Sequence, residues 1–166
     1  MKVEAAATGV DMRAQALMDA NAEFVRFIQT CTDDEWLLVC PAEGWTVGAV
    51  ANHIARGHET VLGWIQTIRD GRDVPGTPEQ HDATNASMAA AAAGVTQADA
   101  ARLANENMAK LSALLTSLTE SDLAMRSLFG PAGGMEMSVD QLAGNRGHLE
   151  RHLASIRETL QRPTPE

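Results

Sequence analysis

Apolar residues recur at alternating steps of four and three near the start of the chain, which is the spacing of one face of an α-helix. The residues of this face are Val10, Ala14, Leu17, Asn21, Phe24, Ile28 and Cys31. They predict a first amphipathic helix. The polar run from Thr32 to Asp34 predicts a turn or a short extra helix through Trp36, and the segment Pro41–Gly44 interrupts the chain again.

Two further helices are bounded by capping residues. Thr46 is a suitable N-cap and Gly71 a suitable C-terminal residue for a second helix, whose apolar stripe is Val47, Val50, Ile54, Val61, Ile65 and Ile68. Thr96, with Asp99 three residues later, opens a third helix with the seam Ala100, Ala104, Asn107, Leu111, Leu114 and Leu118. Between them we expect a loop, in which the alanines of 89–93 either extend a helical turn or simply connect the two helices.

A fourth helix is predicted after the glycine-rich loop 130–134. Ser138 has capping-box spacing with Gln141, and the apolar residues that follow are Leu142, Leu149, Leu153, Ile156 and Leu160. Four amphipathic helices of this length cannot bury their stripes separately, so the sequence predicts an all-α four-helix bundle. We expect one domain over residues 1–166, with residues 1–8 and 162–166 mobile.

Composition and charge narrow the class of partner. The 166 residues carry a formal net charge of −9, which disfavours nucleic acid and anionic membranes. Aromatic residues make up only 4% of the chain and tyrosine is absent, which excludes an all-β fold.

No apolar run approaches the ~20 residues of a membrane helix and the first residues lack a signal-peptide pattern, so we expect a cytoplasmic protein. In that compartment Cys31 and Cys40 are expected to be free thiols, although two cysteines alone do not exclude a bridge.

Three of the five histidines have informative positions. His148 and His152 are four residues apart on the fourth helix, so they can present two imidazoles to one point. Helical geometry sets both of them, and His53 on the second helix, at the borders of buried stripes where neighbouring helices converge. Three neutral imidazoles would form an open metal site of the catalytic type. The alternative is three partly buried histidines with ordinary hydrogen bonds.

Residue order excludes two better-known metal chemistries. Zinc peptidases need a glutamate directly after the first histidine or directly before the second, whereas Glu150 has neither position and would project about 200° away from His148. Di-iron carboxylate bundles need Glu-x-x-His pairs, and the chain has none.

The remaining polar and aromatic candidates each allow two interpretations. We interpret His58, and His81 in the loop before the third helix, as solvent-facing or packing residues. Asn21 and Asn107 either set the helix register or hydrogen-bond a metal-bound histidine. Trp64 falls on the same side of the second helix as His53, where it either packs in the core or walls a cavity beside that histidine.

Two segments resemble a known family. Pro41-Ala42-Glu43-Gly44-Trp45-Thr46-Val47-Gly48-Ala49-Val50-Ala51-Asn52-His53-Ile54 resembles the stretch of the DinB/YfiT-like superfamily in which Gly-Trp-Thr-Val leads into a metal-binding histidine. Residues 138–156 resemble the last helix of that family, with its His-x-x-x-His pair. The first segment, together with His81-Asp82-Ala83-Thr84-Asn85, is most similar to the N-terminal domain of mycothiol-dependent maleylpyruvate isomerase.

The resemblance implies a site, a cofactor and a reaction class. It implies a zinc or nickel ion on His53, His148 and His152, an up-down-down-up helix order and a homodimer. It also implies a transferase or isomerase that joins a small thiol, such as mycothiol, bacillithiol or glutathione, to a small electrophile. A metal with an open position would bind the thiol as thiolate, and no side chain stands out as a separate general base. A non-catalytic binding bundle and a metal-assisted hydrolase remain alternatives.

Overall fold

Helices carry most of the chain in the computed structural model, which describes residues 9–161, and five of them have thirteen or more residues. In chain order the elements are α1 (Gly9–Ile28), α2 (Asp33–Trp36), β1 (Val39–Cys40), β2 (Trp45–Thr46), α3 (Val47–Arg69), α4 (Pro78–Ala91), α5 (Gln97–Ser117), α6 (Glu120–Ala124), β3 (Arg126–Phe129), β4 (Met135–Ser138), α7 (Val139–Ala143) and α8 (Gly147–Thr159). Helices α1 and α3 pack against α5, and α8 packs against α3. The predicted four-helix bundle is therefore confirmed, while the segments predicted to be mobile, 1–8 and 162–166, lie outside the described residues.

Threonine N-caps define where the helices begin. The Thr46 hydroxyl accepts a hydrogen bond from the Ala49 amide at the start of α3, and Thr96 accepts one from the Asp99 amide at the start of α5. At α2, the Thr32 hydroxyl and the Glu35 carboxylate each accept from the other residue's amide. Each such cap contributes about 1 kcal/mol to stability, and together they confirm the predicted starts of the second and third long helices.

Two apolar cores lie along the length of α3. The first core surrounds the N-terminal half of α3 and includes Phe24, Ile28, Val50, Ile54, Ala104, Leu149, Leu153 and Ile156. The second core surrounds the C-terminal half of α3 and includes Leu17, Ile65, Ile68, Met108, Leu111, Leu115, Phe129, Val139 and Leu142. Helix α3 thus contributes side chains to both cores, and the middle of the helix lies at the boundary between them.

The loop expected between the second and third long helices contains a helix of fourteen residues, α4. Thr77 caps it and Pro78 occupies its first turn, but Ala89 is its one buried residue, so α4 has almost no apolar stripe for periodicity to detect. The prediction that His81 lies in a loop was wrong, because this residue is in the first turn of α4. The segment before α4 is held against β3 by two hydrogen bonds between Val74 and its neighbours Leu128 and Gly130.

The last predicted helix is broken into two pieces, contrary to expectation. Ser138 does form its capping box with Gln141, but it caps only the short helix α7. The chain then turns at 144–146 before α8 begins at Gly147. Upstream, β3 and β4 pair as an antiparallel hairpin in which Arg126 opposes Ser138 and Phe129 opposes Met135. The break separates the apolar residues of α7, which join the second core, from those of α8, which join the first.

Two further expectations concern the thiols and the membrane. Cys31 and Cys40 are both buried, and no disulfide joins them. Within residues 9–161, no helix combines the length and the apolar character that crossing a bilayer requires. The homodimer, the partners and the cytoplasmic location stay predictions.

Candidate metal centre

Three histidine side chains from two helices meet at one point. His53 is on the N-terminal half of α3, and His148 and His152 are one turn apart at the start of α8. Their ring centroids lie 4.7 to 4.9 Å from one another. One ligand nitrogen from each ring lies within 4.8 Å of the other two, which makes this a cluster able to hold a metal ion. The structure therefore brings together all three residues that the sequence singled out.

Burial holds two histidines of this cluster, His53 and His148, in the neutral form. Burial, with the positive potential of His152 next in importance, lowers the pKa of His53 to about 4. Burial, followed by the neighbouring His53, lowers the pKa of His148 to about 3. The Nε2 atoms of these two rings are 2.9 Å apart, so they share one hydrogen bond. Neutral imidazole is the form that binds metal, and these rings carry it throughout the neutral pH range.

Glu43 orients the third histidine, and sequence reasoning did not single it out. One carboxylate oxygen of Glu43 accepts a hydrogen bond from Nδ1 of His152 at 2.8 Å, and the other accepts from the Ser155 hydroxyl at 2.6 Å. Its side chain is only 9% exposed. Because Nδ1 is bonded to Glu43, Nε2 of His152 is the nitrogen available to bind a metal ion in the cluster. Metal-binding histidines typically have their other ring nitrogen hydrogen-bonded to a carboxylate in this way.

The tight turn between β1 and β2 places Glu43 beside α8. Cys40 pairs with Trp45 across the turn, and Gly44 closes it with a φ of +71°, a value that favours glycine. Trp45 itself packs edge-on against His53, with ring centroids 5.4 Å apart. The position of Glu43 within the segment that leads to His53 was the available signal, but its partner is 109 residues away, so no local spacing could reveal the contact.

Gly57 makes room for His148. A Cβ atom at residue 57 would lie 2.9 Å from Cε1 and 3.2 Å from Nδ1 of the His148 ring, so any side chain there displaces a ring of the cluster. The absence of a side chain one turn after His53 thus lets α8 bring its first histidine against α3.

Gly57→Ala is expected to weaken metal binding by about tenfold without lowering helix stability, because alanine favours the helix while its methyl group displaces the His148 ring. Affinity is measured by competition with a chromophoric chelator, and stability by thermal unfolding of the metal-free protein. Gly63→Ala on the same helix is the matched control, since nothing lies within 4 Å of a Cβ there. Equal metal affinity in the two variants would contradict this role of Gly57.

A cleft opens beside the cluster, where His53 and His148 form part of its wall. Its other side chains are apolar ones from Val61, Trp64 and Met88, and polar ones from Arg56, Thr60, His81, Asn85 and Asn145. Trp64 is fixed by an edge-on contact with Phe129 at 4.8 Å and lies 5.6 Å from the His81 ring. Trp64 therefore has both of its predicted roles, because it forms the wall of the cavity beside His53 and also packs against the second core.

The remaining polar candidates lie outside the cluster. His58 is buried and bonds through Nε2 to the Asn21 side-chain oxygen at 3.0 Å, and burial lowers its pKa to about 4. Asn107 donates to the Ala55 carbonyl oxygen at 3.1 Å. These two asparagines thus join helices to one another, which agrees with the interpretation that they set the packing register.

The chain is similar to known proteins in sequence and in fold. The DinB superfamily profile matches residues 16–165. No curated protein matches the chain in sequence. A solved structure of YfiT from Bacillus subtilis, described as "a probable metal-dependent hydrolase with an unusual four-helix bundle topology", superposes with a TM-score of 0.77. The match covers 97% of this chain and 92% of YfiT at 18% sequence identity, and it shows a shared fold.

Proposed function

The chain belongs to the DinB superfamily, and from this premise we propose that it is a metal-dependent enzyme in which His53, His148 and His152 bind a divalent metal ion. The observation that carries the proposal is the meeting of three imidazole nitrogens from two helices within 4.8 Å of one another. A metal ion with bonds of about 2.0–2.1 Å spans at most about 4.2 Å between two ligand nitrogens. The nitrogens of His53 and His148, 2.9 Å apart, are within that reach, and the nitrogen of His152 lies close to them.

The chemistry of the side chains fits such an ion. Neutral imidazole nitrogens suit zinc and nickel alike, so the ligand set is compatible with either. The Glu43 carboxylate accepts a hydrogen bond from Nδ1 of His152 and fixes the direction of its ring, as expected for a residue behind a metal ligand. Three protein ligands, rather than the four of a closed structural zinc site, leave a position for a reacting molecule.

We propose a small thiol as the molecule that reacts at this position, with a small electrophile as its partner. A bound divalent cation supplies Lewis acidity, which ionises a thiol or a water molecule near neutral pH. Among the described residues that line the cleft, none carries a carboxylate that could act as a general base. His53 and His148 form the end of the cleft, and Trp64 and Met88 exclude water from one of its sides. The chain's contribution is therefore to hold the two reactants together.

A metal-assisted hydrolase is the second candidate, and the description of a protein with the same fold supports it. YfiT, which shares the fold, is described as a probable metal-dependent hydrolase. In this reaction water would take the place of the thiol, and no second substrate would be needed. Dependence on an added thiol therefore separates the two candidates.

The experiment measures metal content and then two activities of the metal-loaded protein. Glutathione, bacillithiol and mycothiol are each supplied with 1-chloro-2,4-dinitrobenzene, where a carbon–sulfur bond forms, chloride leaves and the thiol proton passes to solvent. Hydrolysis of 4-nitrophenyl acetate is measured without thiol. For metal content the matched control is His81→Ala, which changes a histidine of the cleft that is not in the cluster.

S-transfer that requires both thiol and metal supports the first candidate. Metal-dependent hydrolysis without thiol supports the second and overturns the first. A protein that holds its metal and catalyses neither reaction is a binding bundle, and a protein that holds no metal contradicts the whole proposal.

A further inference from the structure

The cleft beside the metal centre differs in charge from the rest of the protein. The chain has 22 acidic and 13 basic residues, yet the described residues that line the cleft contribute no acidic group. They contribute instead one arginine, Arg56, and the donor groups of His81, Asn85 and Asn145. A cavity of this kind in an acidic protein is suited to a ligand with negative charge.

Arg56 is free to bind such a ligand. Seven of the ten arginines in the described part of the chain form ion pairs with carboxylates. Arg56 forms none with the described residues, and its side chain is exposed in the cleft wall. It lies three residues after His53 on α3, so the two side chains point to the same face of the helix.

A second unpaired arginine adds positive charge close to the three-histidine cluster. Arg151, on α8 between the two histidines, also pairs with no carboxylate among the described residues, and its side chain is exposed. Two of the three unpaired arginines thus adjoin the three-histidine cluster. Unpaired guanidinium groups are preferred partners of carboxylate and phosphate oxygens.

The opposite part of the cleft is flat and apolar. Trp64 lies two turns beyond Arg56 on α3, and its ring is held in place by Phe129. Met88 of α4 and Val61 complete an apolar surface next to it. An aromatic ring stacks well on such a surface, whereas a highly hydrated molecule gains little from it.

We propose that the cleft binds a small aromatic carboxylate as the electrophilic substrate. Its carboxylate pairs with the Arg56 guanidinium, its ring lies against Trp64, and its reactive group is directed to His53 and His148. As a substrate site, this assignment rests on the proposed function. As a binding site for aromatic anions, it rests only on the cleft and can be tested separately.

The test uses 4-chlorobenzoate and the uncharged 4-chlorobenzamide, which match in shape and differ in charge. Binding of each probe is measured by calorimetry on the wild type, Arg56→Gln, Arg56→Lys and the surface control Arg102→Gln. All measurements are made on metal-loaded and on metal-free protein, because a carboxylate can also bind a metal directly. Trp64→Leu is added to test the apolar wall.

We expect the wild type to bind the benzoate about tenfold more tightly than the benzamide, since a charged hydrogen bond to a guanidinium is worth about that factor. In Arg56→Gln the benzoate should lose this advantage with or without metal, while Arg56→Lys restores part of it and Arg102→Gln leaves it unchanged. Trp64→Leu should weaken both probes alike.

Equal affinity for the two probes in the wild type, no binding of either, or a benzoate affinity that Arg56→Gln leaves unchanged overturns the assignment. Failure of the wild type to hold metal contradicts the proposed function instead, and it leaves the anion preference of the metal-free cleft as an independent result.

Discussion

His148→Ala protein, purified without added metal, is expected to contain almost no bound metal, whereas the wild type retains about one ion per chain. His148 contacts both other histidines, with Nε2 of His53 at 2.9 Å and the His152 ring at 4.7 Å. Four-ligand zinc sites bind with about 10–16 kcal/mol, so one ligand is worth about 3 kcal/mol, or a loss of at least about a hundredfold in affinity.

Elemental analysis of the two proteins is the direct measurement, and thermal unfolding is the second. Added zinc or nickel should raise the unfolding temperature of the wild type and leave that of His148→Ala nearly unchanged, because only a ligand that binds the folded state stabilises it. His81→Ala should behave like the wild type, since His81 lies in the cleft and outside the cluster. A His148→Ala protein that retains its full metal content would show that the ion is held elsewhere.

Replacing Glu43 is expected to lower metal affinity by about ten- to a hundredfold, although its atoms do not belong to the cluster. Glu43→Gln keeps the shape of the side chain and an oxygen able to accept from Nδ1 of His152, but it removes the negative charge. Glu43→Ala removes both and leaves the His152 ring free to rotate. The expected order of affinity is therefore wild type, then Gln, then Ala.

Chelator competition gives these affinities, and Ser155→Ala is the matched control because it removes only the second contact of the same carboxylate. Circular dichroism of the metal-free variants checks that the bundle is intact. If Glu43→Ala bound metal as tightly as the wild type, the orientation of His152 would have to come from packing alone.

The parts of the fold that sequence could predict are those whose causes are local. The threonine caps at Thr46 and Thr96 act within four residues, and the apolar stripes repeat within each helix, so both are visible along the chain. The pair His148 and His152 is likewise fixed by one turn of helix. The meeting of this pair with His53 needed the resemblance to a family, because nothing in the spacing alone brings α3 against α8.

The features that the sequence did not predict either bury few side chains or depend on contacts between distant segments. Helix α4 buries little and is bounded by Thr77 and Pro78, so its signal lay in capping and not in periodicity. The β3–β4 hairpin is four residues long on each side, and Val74 from a distant segment bonds to its edge. The contact between Glu43 and His152 spans 109 residues, and no pattern along the chain records it.

The two cores along α3 support different parts of the candidate site, one the three-histidine cluster and the other the apolar wall of the cleft. The segments that carry the three histidines are anchored in the first core, whereas Val61 and Trp64, which shape the cleft, pack against the second. Substitutions that reshape the apolar wall of the cleft therefore alter packing in the second core, whereas substitutions near the three histidines alter packing in the first core. Substitutions that change which ligands the cleft accepts can for this reason begin in the second core, with the three-histidine cluster left in place.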